Sequence, residues 1–338
     1  MHADISSLEP TYGYSIEKSN KGKWAFFIAL AGALGIPLCF LINQFLFGSE
    51  QMQLWWESAK IAPTTQPQVL AGFWMTMAGI FIVIWHSCVV KGWARTILCL
   101  SVGFFIAWFY EFLGTNFPGG GIFGPYNYSD TILYQHIYGV PAMIAFGWEV
   151  MAYPAFYLVL YLLPSEQMGE AKSLSKRIIN NAFISVLGGL FCVVLDFIVD
   201  PISVESGYFT WHTNGDIYPW LEGAGEPLTN FLGWWICGFT MMFFWCFILQ
   251  TTPSKRHVRS RYLDIYIPLA LYCTWFTNYM SQELFMQHRD DVILFGLFGP
   301  GGIIMILLVK LFLEKRGHQP HPIGHAISKE VLLKRKNA

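Results

Sequence analysis

Apolar runs of bilayer length recur along almost the whole of this 338-residue chain, and no other feature of the sequence limits its fold so severely. A segment within about 30 Å of hydrocarbon has no water to pair its backbone N–H and C=O groups, so roughly 20 apolar residues in a row are read as a helix that pairs them internally. Runs of this kind lie at residues 24–47, 68–90, 93–113, 137–163, 178–200, 229–250, 263–282 and 293–313. Most are apolar all round, as a lipid-facing or bundle helix tolerates and a soluble surface helix does not. Only 13% of the residues are charged, against about a quarter in an ordinary soluble domain. The expected fold is an all-α integral membrane protein, a bundle of about eight transmembrane helices. A polar segment, 1–23, precedes one polytopic domain, 24–313, and a basic tail, 314–338, follows it. The first run begins after 23 polar residues and lacks a convincing small-residue cleavage site, which marks it as a retained helix and not a removed signal peptide.

Twenty-one Lys and Arg against 22 Asp and Glu leave a net charge of −1, too little to build the positive field that holds nucleic acid. The placement of those bases says more than their number. Nineteen fall in the N-terminal segment, in the loops at 91–95, 164–177 and 251–262, or from Lys310 onward, and the alternate loops hold only Lys60 and Arg289. Lys and Arg accumulate on the cytoplasmic side, so a multi-pass protein of the cell membrane with both termini in the cytoplasm is expected. All seven cysteines (Cys39, Cys88, Cys99, Cys192, Cys237, Cys246, Cys273) lie inside the apolar runs, and none forms a C-x-x-C pair. They read as small packing residues, not as a disulfide frame or zinc site.

The end of the bundle opposite the basic loops is acidic, aromatic and rich in Gly and Pro. Its loops carry Glu50, Glu57, Asp130, Glu205, Asp216, Glu222, Glu226, Glu283, Asp290 and Asp291, a set that the exclusion of Lys and Arg from the outer side already explains. Acids within the runs need another explanation, because a carboxylate in hydrocarbon is costly and normally faces a bundle interior or a wet cavity. Asp196 and Asp200 are four residues apart, hence on one helix face and about 6 Å apart along the axis. With one buried and the other at a cavity mouth, such a pair can divide the roles of acid and base. The structural alternative is that Asp200, followed by Pro201, ends the helix while Asp196 ties it to a neighbour. Glu111 lies in Tyr110-Glu111-Phe112-Leu113-Gly114, shortly before Gly119-Gly120-Gly121-Ile122-Phe123-Gly124-Pro125-Tyr126-Asn127-Tyr128. That glycine run has no phosphate-loop Lys and is expected as a close-packed re-entrant loop over a cavity. Glu149, beside Trp148, is about 12 residues or roughly 18 Å into its run. It is expected to face protein, either for chemistry or to tie helices by a hydrogen bond.

The segment 207–234 gathers Tyr208, Trp211, Asp216, Tyr218, Trp220, Glu226, Asn230 and Trp234. Single aromatics are expected at any membrane interface, but aromatic faces beside acids also stabilise a cation and would line a slot for a long polyene. His86, His136, His212, His257 and His288 are scattered, and only His318, His321 and His325 cluster, in a tail broken by Pro320 and Pro322. A di-iron site of clustered histidines is therefore not expected, and no metal site is assigned. No nucleophile elbow or dinucleotide fingerprint is present.

At these residues the chain resembles a known family. E-x-x-G at Glu111 and Gly114, F-G-P-Y-x-Y from Phe123 to Tyr128, Val140-Pro141, D-x-x-x-D-P from Asp196 to Pro201, Gly207-Tyr208-Phe209-Thr210-Trp211 and P-L-x-N-F-L-G-W from Pro227 to Trp234 are similar to the membrane carotenoid hydratases, over roughly residues 100–240. This chain departs from the family pattern between Trp211 and Pro227, where it is longer and carries Glu222 and Glu226. The resemblance implies addition of water to the terminal double bond of an acyclic carotenoid or related polyprenoid, in the lipid bilayer, without redox cofactor or metal, alongside other enzymes of a carotenoid pathway. It makes Asp196, Asp200 and Glu111 the expected catalytic residues. Tyr126, Tyr128, Trp148, Glu149, Tyr208, Trp211, Asn230 and Trp234 are the expected substrate-binding set. Two other classes stay open on the residues alone. A prenyl-chain cyclase or isomerase would use the same acids and aromatics, and a transporter would use mid-membrane acids and a last span interrupted at Gly299-Pro300-Gly301-Gly302.

Overall fold

The computed structural model describes residues 67–117, 119–129, 136–163, 174–205, 207–212, 227–251, 261–287 and 289–315, with isolated helical positions between 38 and 48. The expected first span, the polar N-terminal segment, the tail beyond 315 and the loop acids Asp130, Asp216, Glu222 and Glu226 lie outside the described residues. Within them the chain is mostly helical. The helices are α1 (Pro67–Lys91), α2 (Trp93–Asn116), α3 (Ala142–Leu162), α4 (Leu174–Glu205), α5 (Leu228–Thr251), α6 (Arg261–Gln282), α7 (Asp290–Phe298) and α8 (Pro300–Lys315). Among the described residues, five segments are long and apolar enough to cross a membrane: α2, α3, α4, α5 and the α7–α8 stretch Asp290–Leu313. Helix α6 is the least apolar of the long helices.

Three local features differ from a simple reading of the apolar runs. First, α4 does not stop at Asp200. It continues through Pro201 to Glu205, so Pro201 only withholds an amide hydrogen from the Phe197 carbonyl, and both aspartates lie in mid-helix. Second, the last span is broken as expected, at Gly299 between α7 and α8, although the Gly299 N–H still reaches the Phe295 carbonyl at 2.8 Å. Third, the fold is not purely helical. Two two-stranded antiparallel sheets are added, β1 (Tyr126–Tyr128) with β4 (Phe209–Trp211) and β2 (His136–Ile137) with β3 (Val140–Pro141).

Helix α3 runs through the middle of the bundle, with every residue from Gly147 to Val159 buried, as its all-round apolarity requires. Around it pack α1, α2, α4 and α6, and α4 lies along α5 in the most extensive helix pair. Trp148, Tyr153, Phe156 and Trp245 are among the large side chains fully enclosed there. Two charged residues assigned from sequence to loops are inside the protein. Lys91 is 5% exposed, its ammonium 4.8–5.6 Å from the ring centres of Tyr153, Phe156, Tyr157 and Trp245. Glu283, in the π-helical turn Glu283–Gln287 that follows α6, is fully buried and accepts the backbone N–H of Arg289. Arg289 itself pairs with Asp291 at 2.8 Å. The six described cysteines are free.

Candidate active site

The two motif loops that are far apart in sequence meet as one ladder. Tyr126 pairs with Trp211, Asn127 with Thr210 and Tyr128 with Phe209. The Ser129 N–H to the Tyr208 carbonyl, 2.9 Å, and the His212 N–H to the Pro125 carbonyl, 2.8 Å, close its ends. Side chains alternate across a strand, so Tyr126, Tyr128, Phe209 and Trp211 share the face turned to the bundle while Asn127 and Thr210 are exposed. The rings on that face touch, with centroids 4.7 Å apart for Tyr126 and Trp211 and 5.4 Å for Tyr126 and Tyr128. The loop that brings β1 back from α2 is a tight turn. Gly120 has φ +71°, and a Cβ there would overlap the backbone of Gly124.

Beneath the ladder, three donors converge on the buried carboxyl of Glu111. Tyr126 and Tyr128 donate their hydroxyls to Oε2, the latter at 2.6 Å, and Trp148 donates its indole N–H to Oε1 at 2.7 Å. Burial, and next the charge of Glu111, hold both phenols well above the ordinary tyrosine range, so they remain protonated donors. The E-x-x-G spacing now has a physical reason. Gly114 is one turn from Glu111 on the same face, and the Tyr126 ring lies where its side chain would be, 2.5 Å from an added Cβ.

A second carboxyl centre lies on α4. Asp196 and Asp200 are 0% and 6% exposed, so neither stands at an open mouth. The amide nitrogen of Asn230 on α5 donates to Asp196 Oδ2 at 3.1 Å and to Asp200 Oδ2 at 2.7 Å, and the Trp234 indole N–H adds a contact to Asp200 at 3.2 Å. The two centres are joined by their indoles: Trp148, bonded to Glu111, and Trp234, bonded to Asp200, have ring centroids 4.3 Å apart. Two acidic groups are thus set on either side of an aromatic wall, each oriented by donors at the polar edges of its rings.

Of the expected set, Glu111, Asp196, Asp200, Tyr126, Tyr128, Trp148, Trp211, Asn230 and Trp234 meet here. Tyr208 joins through its backbone, its N–H reaching the Ser203 carbonyl at 2.9 Å. Glu149 is placed elsewhere. The residue is 1% exposed and its carboxyl packs on Gly103 beside Trp245, with the charge of Lys91 nearby and no hydrogen-bond partner of normal geometry among the described residues. Phe123 and Phe209 stand in the quoted motifs but outside the expected site set, yet Phe123 packs on Gly233 and its carbonyl accepts the Thr229 hydroxyl, at 3.1 Å, while Phe209 fills the ladder face. The alternation of Phe209-Thr210-Trp211 is the signal that could have found the latter. Among the described residues, no three His, Cys, Asp or Glu side chains converge to hold a metal.

The sequence model of the family described as "Carotenoid biosynthesis protein" matches residues 71–300, about two thirds of the chain. The chain belongs to that carotenoid biosynthesis protein family. The match spans α1 to the Gly299 break and so contains every residue of both carboxyl centres and of the aromatic ladder. Comparison with curated proteins and with solved structures gives no match. A role in carotenoid biosynthesis is consistent with a polyprenoid substrate, and helices of membrane-spanning length are consistent with a lipid bilayer.

Proposed function

We propose that this carotenoid biosynthesis protein adds water across the terminal carbon–carbon double bond of an acyclic carotenoid, giving a tertiary alcohol. The observation that carries the reading is the buried pair Asp196 and Asp200, joined by one Asn230 amide and set against indole and phenol rings. Hydration of an unactivated alkene begins with a carboxylic acid sheltered from bulk water. Its proton forms a C–H bond with the π electrons at the less substituted carbon and leaves a tertiary cation at the other. The oxygen of water then forms the C–O bond, and the surplus proton passes to the second carboxylate. The sum is one water added, with nothing oxidised or reduced. Asp196 and Asp200 divide the acid and base roles, and Asn230, which gives one hydrogen to each, keeps both oriented as the proton changes sides. The faces of Trp148, Trp234, Tyr126 and Trp211 shield the cation, each worth about 0.5–2 kcal/mol. Glu111 fixes Trp148 and Tyr126 by holding their polar edges, and Asp200 holds that of Trp234.

In this reading the acidic end of the bundle faces outward, both termini are cytoplasmic, and the substrate enters from the bilayer. The test is expression in a lycopene-making bacterium grown with heavy-oxygen water, followed by mass spectrometry of the pigments. The expected product gains one water per modified end, and the new oxygen carries the solvent label. Oxygen drawn from dioxygen refutes hydration. A product isomeric with its substrate places the same acids and rings in a cyclase or isomerase.

A further inference from the structure

Three indoles stand in the candidate site, and two of them spend their N–H groups on its acids. Trp148 donates to Glu111 at 2.7 Å and Trp234 to Asp200 at 3.2 Å. The third, Trp211, has its indole nitrogen buried, yet no acceptor among the described residues reaches it. The neighbouring donors are engaged: the Tyr126 and Tyr128 hydroxyls on Glu111, the Asn230 amide on the two aspartates and the Thr229 hydroxyl on the Phe123 carbonyl. A buried N–H with no acceptor is costly. In a ligand site it marks the place of an acceptor that the protein does not itself supply.

The ladder fixes where that N–H lies. Trp211 is held in register with Tyr126, and one residue on, the His212 N–H reaches the Pro125 carbonyl at 2.8 Å. The half-buried Trp211 side chain packs among rings, with centroids 4.7 Å from Tyr126 and 5.6 Å from Phe209. Its Cζ3 atom is 3.8 Å from the position of a Cβ on Gly124. Cζ3 lies on the edge of the indole opposite Nε1, so the N–H edge faces away from the Gly124 turn. The Tyr126 hydroxyl is turned to Glu111 instead. Trp211 is thus an oriented donor in the wall of the site, anchored through backbone and ring and with its polar edge unused by the fold.

We propose that the Trp211 N–H binds the oxygen of a hydroxylated polyprenoid, namely the tertiary alcohol that the hydration scheme forms. A carotene offers only C–H bonds and π electrons, whereas a tertiary hydroxyl oxygen has two lone pairs for a donor. The inference rests on the hydration reading and deepens it, because it gives the site a preference for its product over the hydrocarbon it consumes. The oxygen added at the aromatic wall meets a donor already in place. Release of the alcohol then breaks this bond, and the alcohol competes with incoming hydrocarbon.

The test measures binding without turnover, on the full chain in detergent, by quenching of its tryptophan fluorescence. The two ligands share one skeleton: lycopene hydrated at both ends to the diol, and lycopene hydrogenated at both terminal double bonds. Neither keeps a terminal double bond to react, and they differ only in the hydroxyl groups. Trp211 is replaced by its benzothiophene analogue, which keeps both fused rings but carries sulfur in place of N–H. Affinity for the diol should fall by about 3- to 10-fold, the worth of one hydrogen bond between uncharged groups, while affinity for the hydrocarbon stays as in wild type. In Trp211→Phe both ligands lose ring contact, and the diol should be weakened more than the hydrocarbon by that same factor. Unchanged affinity for the diol in the analogue overturns the inference, as does equal weakening of both ligands, which marks a ring contact alone. Absence of alcohol in the heavy-oxygen experiment overturns the hydration reading instead, and does so without reference to these affinities.

Discussion

The close approach of Tyr126 to Gly114 offers a sharp test of how the site is assembled. In Gly114→Ala the new Cβ would lie 2.5 Å from Tyr126 Cε1 and 3.0 Å from its Cζ and hydroxyl oxygen. Carbon atoms in contact normally sit about 3.5–4.0 Å apart, so the ring must retreat by about 1 Å. Two stability effects then oppose each other. Overpacking of this size costs about 1–3 kcal/mol, while replacing Gly114, in the last turn of α2, by alanine gains at most about 1 kcal/mol. The net change in stability is small, but a shift of about 1 Å withdraws the phenol from Glu111 and displaces a ring of the wall, which is expected to lower turnover by about 10²-fold. The assay pairs pigment turnover at equal membrane abundance with the midpoint of thermal unfolding in detergent. The decisive comparison is made in a Tyr126→Ala background, where the three atoms nearest to the added Cβ are gone. There Gly114→Ala should raise stability by up to about 1 kcal/mol and leave the residual turnover unchanged. Wild-type turnover in the single Gly114→Ala variant, or the same effect of the substitution in both backgrounds, would refute the account of the E-x-x-G spacing given above.

Asp196→Asn and Asp200→Asn keep size and most hydrogen bonding but remove proton exchange, and each should cost about 10² to 10⁴ in turnover while the protein still inserts and folds; near-normal turnover in both would leave the pair structural. Asn230→Leu deprives two buried carboxyls of a shared donor, a loss of about 1–3 kcal/mol for each group left unsatisfied, so a lower unfolding midpoint should accompany the loss of activity, whereas an unchanged midpoint would contradict the bridging role. Ser129→Cys, at the end of the β1–β4 ladder, should react with a membrane-impermeant thiol reagent in intact cells. Labelling only after permeabilisation would reverse the orientation derived from the 19-to-2 division of Lys and Arg.

Much of the helical framework was legible in the sequence because it depends on a local rule. A run of apolar residues in a membrane must pair its own backbone, and for the described residues the runs from 68–90 onward coincide with α1 to α8 to within a few residues. The same rule singled out the acids, since Glu111, Asp196, Asp200 and Glu149 stand out against apolar neighbours, and the four-residue spacing of the aspartates puts them on one face without knowledge of any partner. Which groups those acids meet is not a local matter. Glu111 takes its donors from 15, 17 and 37 residues away, and the aspartates take theirs from 30 and 34. The tertiary packing alone decided that two aromatic motifs more than 80 residues apart pair as strands, that α4 passes through Pro201, and that Lys91 and Glu283 lie inside the protein. It also set Glu149 apart from the other acids. Helix periodicity records which face of a segment is buried, but the partner on that face is chosen by how helices and loops close over one another, and that choice leaves no period in the chain.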